Sequence, residues 1–188
     1  MSQFAYGKIV ASALAAGALA AVPVAQNWGG YFHRPIVPGE VEVHFSPNGG
    51  CASAVVSVLA GARKSIYVQA YSFTNPQISA ALVAAHRRGV ETHVILDRSQ
   101  ETEKYSEADF LTHAGIPTSV DAAHAIAHNK VMIVDEETVI TGSFNFTRAA
   151  EEKNAENLLI VRQTPALAQK YLSNWQSHQR HSGAYRRH

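Results

Sequence analysis

Residues 128–156 read HNKVMIVDEETVITGSFNFTRAAEEKNAE. The first eight of them, His128 to Asp135, are rich in apolar and β-branched residues, and they run into the turn-like Asp135-Glu136-Glu137-Thr138. That pattern predicts a strand and a turn. A second strand, TVITGSFN, runs back from the turn. Side chains alternate faces along a strand, so His128, Lys130, Met132 and Val134 share one side and Asp135 takes the other. If Val134 pairs with Val139, an antiparallel register sets Lys130 opposite Ser143 and His128 opposite Asn145. Glu136-Glu137 is poor for a two-residue hairpin, which favours Asn-Gly or Asp-Gly, so a longer loop is expected.

An imidazole, an ammonium and two neutral hydrogen-bonding side chains on one patch suit a phosphodiester. Lys130 supplies a compact positive charge for phosphate oxygens. Ser143 and Asn145 add hydrogen-bonding groups where charge develops in a transition state. His128 can attack phosphorus or move protons near neutral pH. Glu156, downstream, is a carboxylate able to accept from the other imidazole nitrogen and so fix its tautomer.

The spacing His128-x-Lys130-x4-Asp135-x6-Gly142-Ser143-x-Asn145 resembles the HKD motif of the phospholipase D superfamily. The likeness continues to Glu156. Through YSFTNPQISAALVAAHRRGV, GSFNFTRAAEEKNAEN and the Trp175 helix, it covers roughly residues 41–179 and is nearest to the small bacterial endonucleases of that superfamily. The resemblance implies His128, Lys130, Asp135 and Glu156 as the catalytic set, with Lys130, Ser143 and Asn145 on phosphate. Within that set, the strand alternation gives Asp135 a supporting role. It also implies a metal-free reaction with no cofactor, because protein cations take the metal's place. The sequence holds no second His-x-Lys pair; His86-Arg87-Arg88 comes nearest. A two-step phosphoryl transfer needs a nucleophile and a separate acid. The resemblance therefore implies a homodimer in which His128 of each chain meets one phosphate across a two-fold axis.

The chain has 188 residues, 46% hydrophobic and 16% charged, with a formal net charge of +1. That is a globular chain with core enough for one domain, and any nucleic-acid footprint must be local. Arg87, Arg88, Arg98, Lys104, Arg148 and Lys153 are the candidates for backbone phosphates. Cys51 is the one cysteine. It excludes an intramolecular disulfide and a cysteine-built metal site, and it reads as a small residue at a helix start. His33, His44, His86, His93, His113 and His124 show no ligand spacing such as HExxH. They read as surface or satisfied core residues, with His124 near enough to His128 to line the cleft. His178, His181 and His188 fall in a polar, basic end expected to fray.

Residues 1–25 carry Lys8, an alanine-rich apolar core and Ala18-Leu19-Ala20, the pattern of a signal peptide cut near residue 20/21. The mature protein is then periplasmic or secreted. A retained anchor is the competing reading, since the apolar run of about 17 residues is at the lower edge of a bilayer span. A cytoplasmic helix is the third. Residues 26–39 are a glycine- and proline-rich linker, 40–180 the domain, and 181–188 a basic tail. Strands at VEVHF, SIYVQAYSF, VETHVILD, IPTSV and ENLLIV alternate with helices that start at Cys51, Asn75-Pro76, Ser106 and Thr164-Pro165. The fold expected is α/β: a mixed, mostly parallel sheet flanked by helices on both faces. The partners implied are DNA, with RNA as a second polymer, bound without sequence preference, and a second copy of the chain. A membrane partner enters only if the N-terminal segment stays on; the site would then serve a phospholipid or cardiolipin phosphodiesterase. A non-catalytic binding module is the third alternative, disfavoured by the complete motif.

Overall fold

The computed structural model describes residues 39–186, which fall within one compact unit, Pro35–His188. The signal-peptide and linker expectations lie outside the described residues, except Gly39. The strands are β1 (Val41–Ser46), β2 (Ser65–Ala70), β3 (Glu91–Asp97), β4 (Thr118–Asp121), β5 (Lys130–Val134), β6 (Thr138–Gly142), β7 (Glu156–Val161) and β8 (Gly183–Ala184). The helices are α1 (Cys51–Gly61), α2 (Pro76–Arg87), α3 (Ala108–His113), α4 (Arg148–Glu152) and α5 (Pro165–Gln179). Among the described residues no helix is long and apolar enough to cross a membrane.

The eight strands form one sheet in the order β1-β7-β6-β5-β2-β3-β4-β8. The sheet is mixed and flanked by helices, as expected, but it is not mostly parallel. Only β2–β3 and β3–β4 pair parallel; the other five pairings are antiparallel. The reason is topological. Helical crossovers return the chain parallel only through α2 and α3. The chain β5-β6-β7 is a meander, and β1 leaves by way of α1 without pairing with β2. Within the tail, residues 183–185 are held to the sheet rather than frayed. Gly183 and Ala184 pair with Val120 and Ser119 of β4, and Tyr185 N–H donates to the Thr118 carbonyl at 2.9 Å.

All five residues of β5 are buried, as for a central strand covered on both sides. Met132 and Val134 join the core under α1, α2 and α3 with Val55, Leu59, Leu82 and Leu111. Val131 and Ile133 face the other way, onto Ala168, Leu172 and Trp175 of α5. The Trp175 indole N–H donates to the Val68 carbonyl at 2.8 Å, so even this polar atom is satisfied inside. Asn75 caps α2 as its Asn-Pro sequence predicts, accepting from the N–H groups of Gln77 and Ile78.

The β5–β6 hairpin differs by one residue from the predicted register. Val134 pairs with Thr138 and Met132 with Ile140. The turn is the three residues Asp135, Glu136 and Glu137. Asp135 and Glu136 both take left-handed backbone, at φ 54° and 58°. The Asp135 carboxylate holds this turn in place by accepting from three backbone N–H groups, those of Arg63, Lys64 and Ser65, at 2.7–3.1 Å. The contact lies across the chain and no local pattern reports it.

Candidate functional site

Strand direction gathers the site. β1, β2, β3, β4 and β6 end, and β5 and β7 begin, at one end of the sheet. Ser46, Ala70, Asp97, Asp121, Gly142, Lys130 and Glu156 therefore form a single rim. His128 follows the loop 122–129 onto it. The loop is held by the buried Asp97 carboxylate, which accepts from Ala127 N–H at 2.7 Å.

His128 is exposed and its ring lies on Tyr71, with centroids 4.6 Å apart and planes tilted by 53°. Lys130 is the opposite case: it is 7% exposed. Its Nζ donates to the His128 carbonyl at 2.8 Å and sits 5.1 Å from the centre of the same Tyr71 ring. Burial pushes the Lys130 amine below the ordinary lysine value, and the Glu156 carboxylate works against that shift. The arrangement is a solvent-facing imidazole backed by an aromatic ring and a sequestered cation. Such a cation acts on an arriving anion more strongly than one in water. The sequence reading missed Tyr71. Its signal was present only in the pairing: Tyr71 N–H donates to the Asn129 carbonyl at 2.8 Å, which extends the β2–β5 ladder to the motif.

Gly142 ends β6 at φ 146°. A methyl group there would overlap the Asn157 carbonyl, so glycine is a backbone requirement. That carbonyl accepts from both Ser143 and Phe144 N–H at 3.1 Å. Ser143 Oγ accepts from the Asn157 backbone and side-chain nitrogens. Asn145 Oδ1 is buried without a partner among the described residues. The loop reaches the His128 side through Phe146, which bridges Phe73 two residues beyond Tyr71. Ser143 and Asn145 thus come to the rim by a loop that β7 shapes, not as ladder partners of Lys130 and His128.

Asp135, named with the catalytic set, has the supporting place that strand alternation gives it, and the expected Glu156 contact differs. Asp135 lies at the far end of β5, about 17 Å from Lys130 at strand spacing, and its carboxylate is taken up by the α1–β2 connection. It supports the hairpin and does not touch the site. Glu156 is on the rim, but its carboxylate accepts from Asn154 Nδ2 at 3.2 Å and makes no bond to its own chain's imidazole. Its N–H donates to Ser46 Oγ at 3.2 Å, which fastens β7 to β1.

Among the proposed phosphate contacts, Arg88 is committed elsewhere, donating to the carbonyls of Leu59 and Ala60 at the end of α1. Arg148 pairs with Glu152. Arg98, exposed, bonds the Ala125 carbonyl beside the His128 loop. Cys51 is fully buried, and burial, then the nearby Glu151 carboxylate, pushes its thiol up to about 11. It is the inert helix-start residue that the sequence suggested. Glu151 explains the helix start itself, accepting from Gly50 and Ala52 N–H at 3.1 and 2.8 Å. His124 does not line the His128 cleft. It turns to Asp121, where His178 and His181 also converge.

Comparison with known proteins agrees with this geometry. A family model described as cardiolipin synthase, PLD-like domain, matches residues 55–178. A protein named phospholipase D from Rickettsia bellii is 42% identical over 144 residues, 77% of this chain and 71% of that protein. The crystal structure of Nuc from Salmonella typhimurium, described as a phospholipase D family member, superposes with a TM-score of 0.76 at 43% identity. The match covers 79% of this chain and 99% of that one. The mouse protein named mitochondrial cardiolipin hydrolase is 36% identical over 112 residues, 60% of this chain and 51% of that protein.

Proposed function

This chain belongs to the phospholipase D superfamily and is a phosphodiesterase of that kind, and from that premise we propose that it is a metal-independent endonuclease that cuts DNA without sequence preference. RNA is a second polymer of the same chemistry. The observation that carries the reading is the pairing of an exposed His128 with a buried Lys130 on an open rim. The buried cation and the Ser143–Asn145 loop address a phosphate, which every nucleotide step presents identically.

The reaction proceeds in two displacements. The imidazole of one His128 attacks phosphorus, the P–O bond to the leaving nucleoside breaks, and a phosphohistidine forms. A second imidazole, protonated, gives its proton to the leaving oxygen. That same imidazole, now neutral, takes a proton from water as the water attacks phosphorus and releases the first histidine. One chain supplies one His128, so the active unit is a homodimer with a composite site on the two-fold axis. Glu156 does not hold the imidazole of its own chain, so its orienting bond to an imidazole forms on assembly. Export of the mature chain after removal of residues 1–20 belongs to the same reading, and intact-mass measurement of the native protein tests it.

A second reading is a phospholipid phosphodiesterase held at a membrane. Its specific support is the outer face of β1, where Val41, Val43 and Phe45 are 54%, 50% and 64% exposed. In sequence these follow the linker, and β1 ends beside Glu156. Purified protein offered single-stranded DNA, duplex DNA, RNA and cardiolipin vesicles, each with excess chelator, separates the two. Cleavage of the nucleic acids with chelator present is expected. Cleavage of cardiolipin alone, or a loss of activity that magnesium restores, would overturn the endonuclease reading.

A further inference from the structure

Four side chains from three parts of the sequence meet beyond the catalytic rim's centre. Asp121 ends β4 and is 0% exposed. Its Oδ2 lies 2.7 Å from His178 Nδ1, 3.0 Å from His124 Nδ1 and 3.3 Å from His181 Nε2. One donor atom from each of the four lies within 4.8 Å of all the others. The three rings crowd together, with centroids 4.8–5.3 Å apart. His124 comes from the loop before His128, His178 from the last turn of α5, and His181 from the residues just after it.

We propose that Asp121, His124, His178 and His181 form a structural zinc site that clamps the His128-bearing loop to the C-terminal end of α5. The donor set decides the metal. Three imidazoles and one carboxylate suit zinc, a borderline-soft dication, and disfavour magnesium or calcium, which take oxygen. The geometry fits. Zinc–donor bonds of about 2.0–2.1 Å in a tetrahedron set donor atoms about 3.3–3.4 Å apart. The carboxylate-to-imidazole separations of 2.7, 3.0 and 3.3 Å reach that value from below, so the shortest opens by about 0.6 Å, and the imidazoles need close on one another by about 1.5 Å at most. Rings on the exposed side of the cluster can make that movement, since the His124 and His181 side chains are 47% and 37% exposed.

Charge favours the same answer. Three imidazoles aimed at one carboxylate oxygen must each present a proton to it, and each proton crowds the others. One dication takes the place of these protons: each imidazole binds it through the inward nitrogen and keeps one proton on the outward nitrogen, so the ring stays neutral. Four protein donors complete a tetrahedral shell, which is the closed coordination of a structural site, with no position open for an activated water. Three strand spacings separate β4 from β5, about 15 Å, so the ion stays out of reach of the phosphate on Lys130. The catalytic reaction remains metal-free.

The clamp has a mechanical consequence. The second half of loop 122–129 is tied down by bonds from Ala127 to Asp97, Arg98 to Ala125, Lys130 to the His128 carbonyl and Tyr71 to the Asn129 carbonyl, while Ala123 N–H donates to Asp121 in the first half. Zinc would fix its first half to β4, α5 and the start of β8, and so order the approach to His128.

The test uses the full chain, purified without a polyhistidine tag and stripped by dialysis against chelator. Zinc titrated by calorimetry should bind at one ion per chain. Cobalt should give the intense visible bands of a tetrahedral site. At zinc a hundredfold above its Kd, the melting temperature should rise by about 5–10 °C. His124→Gln and His181→Gln, both at exposed positions where folding is not at stake, should each weaken binding at least tenfold. The double variant should abolish the cobalt spectrum. The proposal is overturned if no saturable binding appears up to about 100 μM zinc, or if the double variant binds as the wild type does. A magnesium-restored activity would count against the metal-free reaction alone. A zinc-dependent melting temperature speaks only to the clamp, so the two readings fail separately.

Discussion

Replacing Asp135 separates the support of the motif from its chemistry. Its carboxylate accepts from Arg63, Lys64 and Ser65 N–H, with Oδ1 taking all three and Oδ2 sharing Arg63. Hydrogen bonds to a charged acceptor contribute about 1.5–3 kcal/mol each, and these donors lie near enough to water to recover part of that. Two bonds' worth at the lower end is about 3 kcal/mol. Asp135 also has φ 54°, where alanine adds about 1 kcal/mol of strain. Asp135→Ala should therefore destabilise by about 4 kcal/mol, a large share of the roughly 5–15 kcal/mol typical of a domain. The melting temperature should fall by about 8–16 °C. Asp135→Asn keeps an oxygen at the Oδ1 position and tolerates the left-handed backbone, so its loss should be about 1–2 kcal/mol. Urea unfolding gives both values. Turnover of a chromogenic aryl phosphodiester, measured well below each melting point, should stay within about twofold of wild type for both variants. An Asp135→Ala protein that melts normally and loses its turnover would refute the supporting role and return Asp135 to the reaction.

Lys130→Met should abolish turnover while leaving the melting temperature equal or higher, because it removes a buried charge that the fold disfavours. The sign of the pH dependence follows. The folded-state pKa of Lys130 is lowered by burial, so between that value and the ordinary lysine value the unfolded chain holds more protons. The wild type should gain stability as pH rises through that window, and Lys130→Met should lose that gain. Gly142→Ala forces a methyl group against the Asn157 carbonyl at φ 146°. It should destabilise by about 3 kcal/mol and reduce turnover, because the Ser143–Asn145 loop shifts with it. Wild-type and His128→Asn chains refolded in equal amounts should leave about a quarter of the activity if the site is composite, and about half if each chain works alone.

The hairpin shows what a sequence carries and what it does not. Apolar alternation set the two strands and the faces of Lys130 and Met132 correctly. Register is fixed by the turn, and the turn is fixed by Asp135 reaching Arg63–Ser65, seventy residues away in sequence. Nothing local to Asp135-Glu136-Glu137 announces that left-handed backbone is held there. The same limit explains the sheet. Helices between strands were visible, and a parallel majority followed from assuming that each crossover joins neighbours. β1 breaks that assumption by pairing with β7 at the edge.

The site was legible where chemistry is local and illegible where it is assembled. His128, Lys130, Gly142 and Ser143 could be read together because a backbone motif spaces them, and the strands carry Lys130 and Gly142 to one rim. Tyr71 was missed because it enters from a different strand, and an aromatic at a strand end reads as core. The histidines at 124, 178 and 181 were dispersed among surface and tail positions because their ligand spacing is not sequential. Asp121 brings them together only when β4, α5 and the C-terminal residues close on the same end of the sheet. That end is shared with His128 for a physical reason. Parallel strands β2, β3 and β4 all finish there, and the loops that follow them have no sheet partner to satisfy their polar groups. Buried carboxylates take that place: Asp97 holds Ala127 N–H, and Asp121 holds Ala123 N–H together with the imidazoles. The loop that delivers His128 is thus anchored by two aspartates that the motif does not contain, and its order depends on residues remote from the reaction.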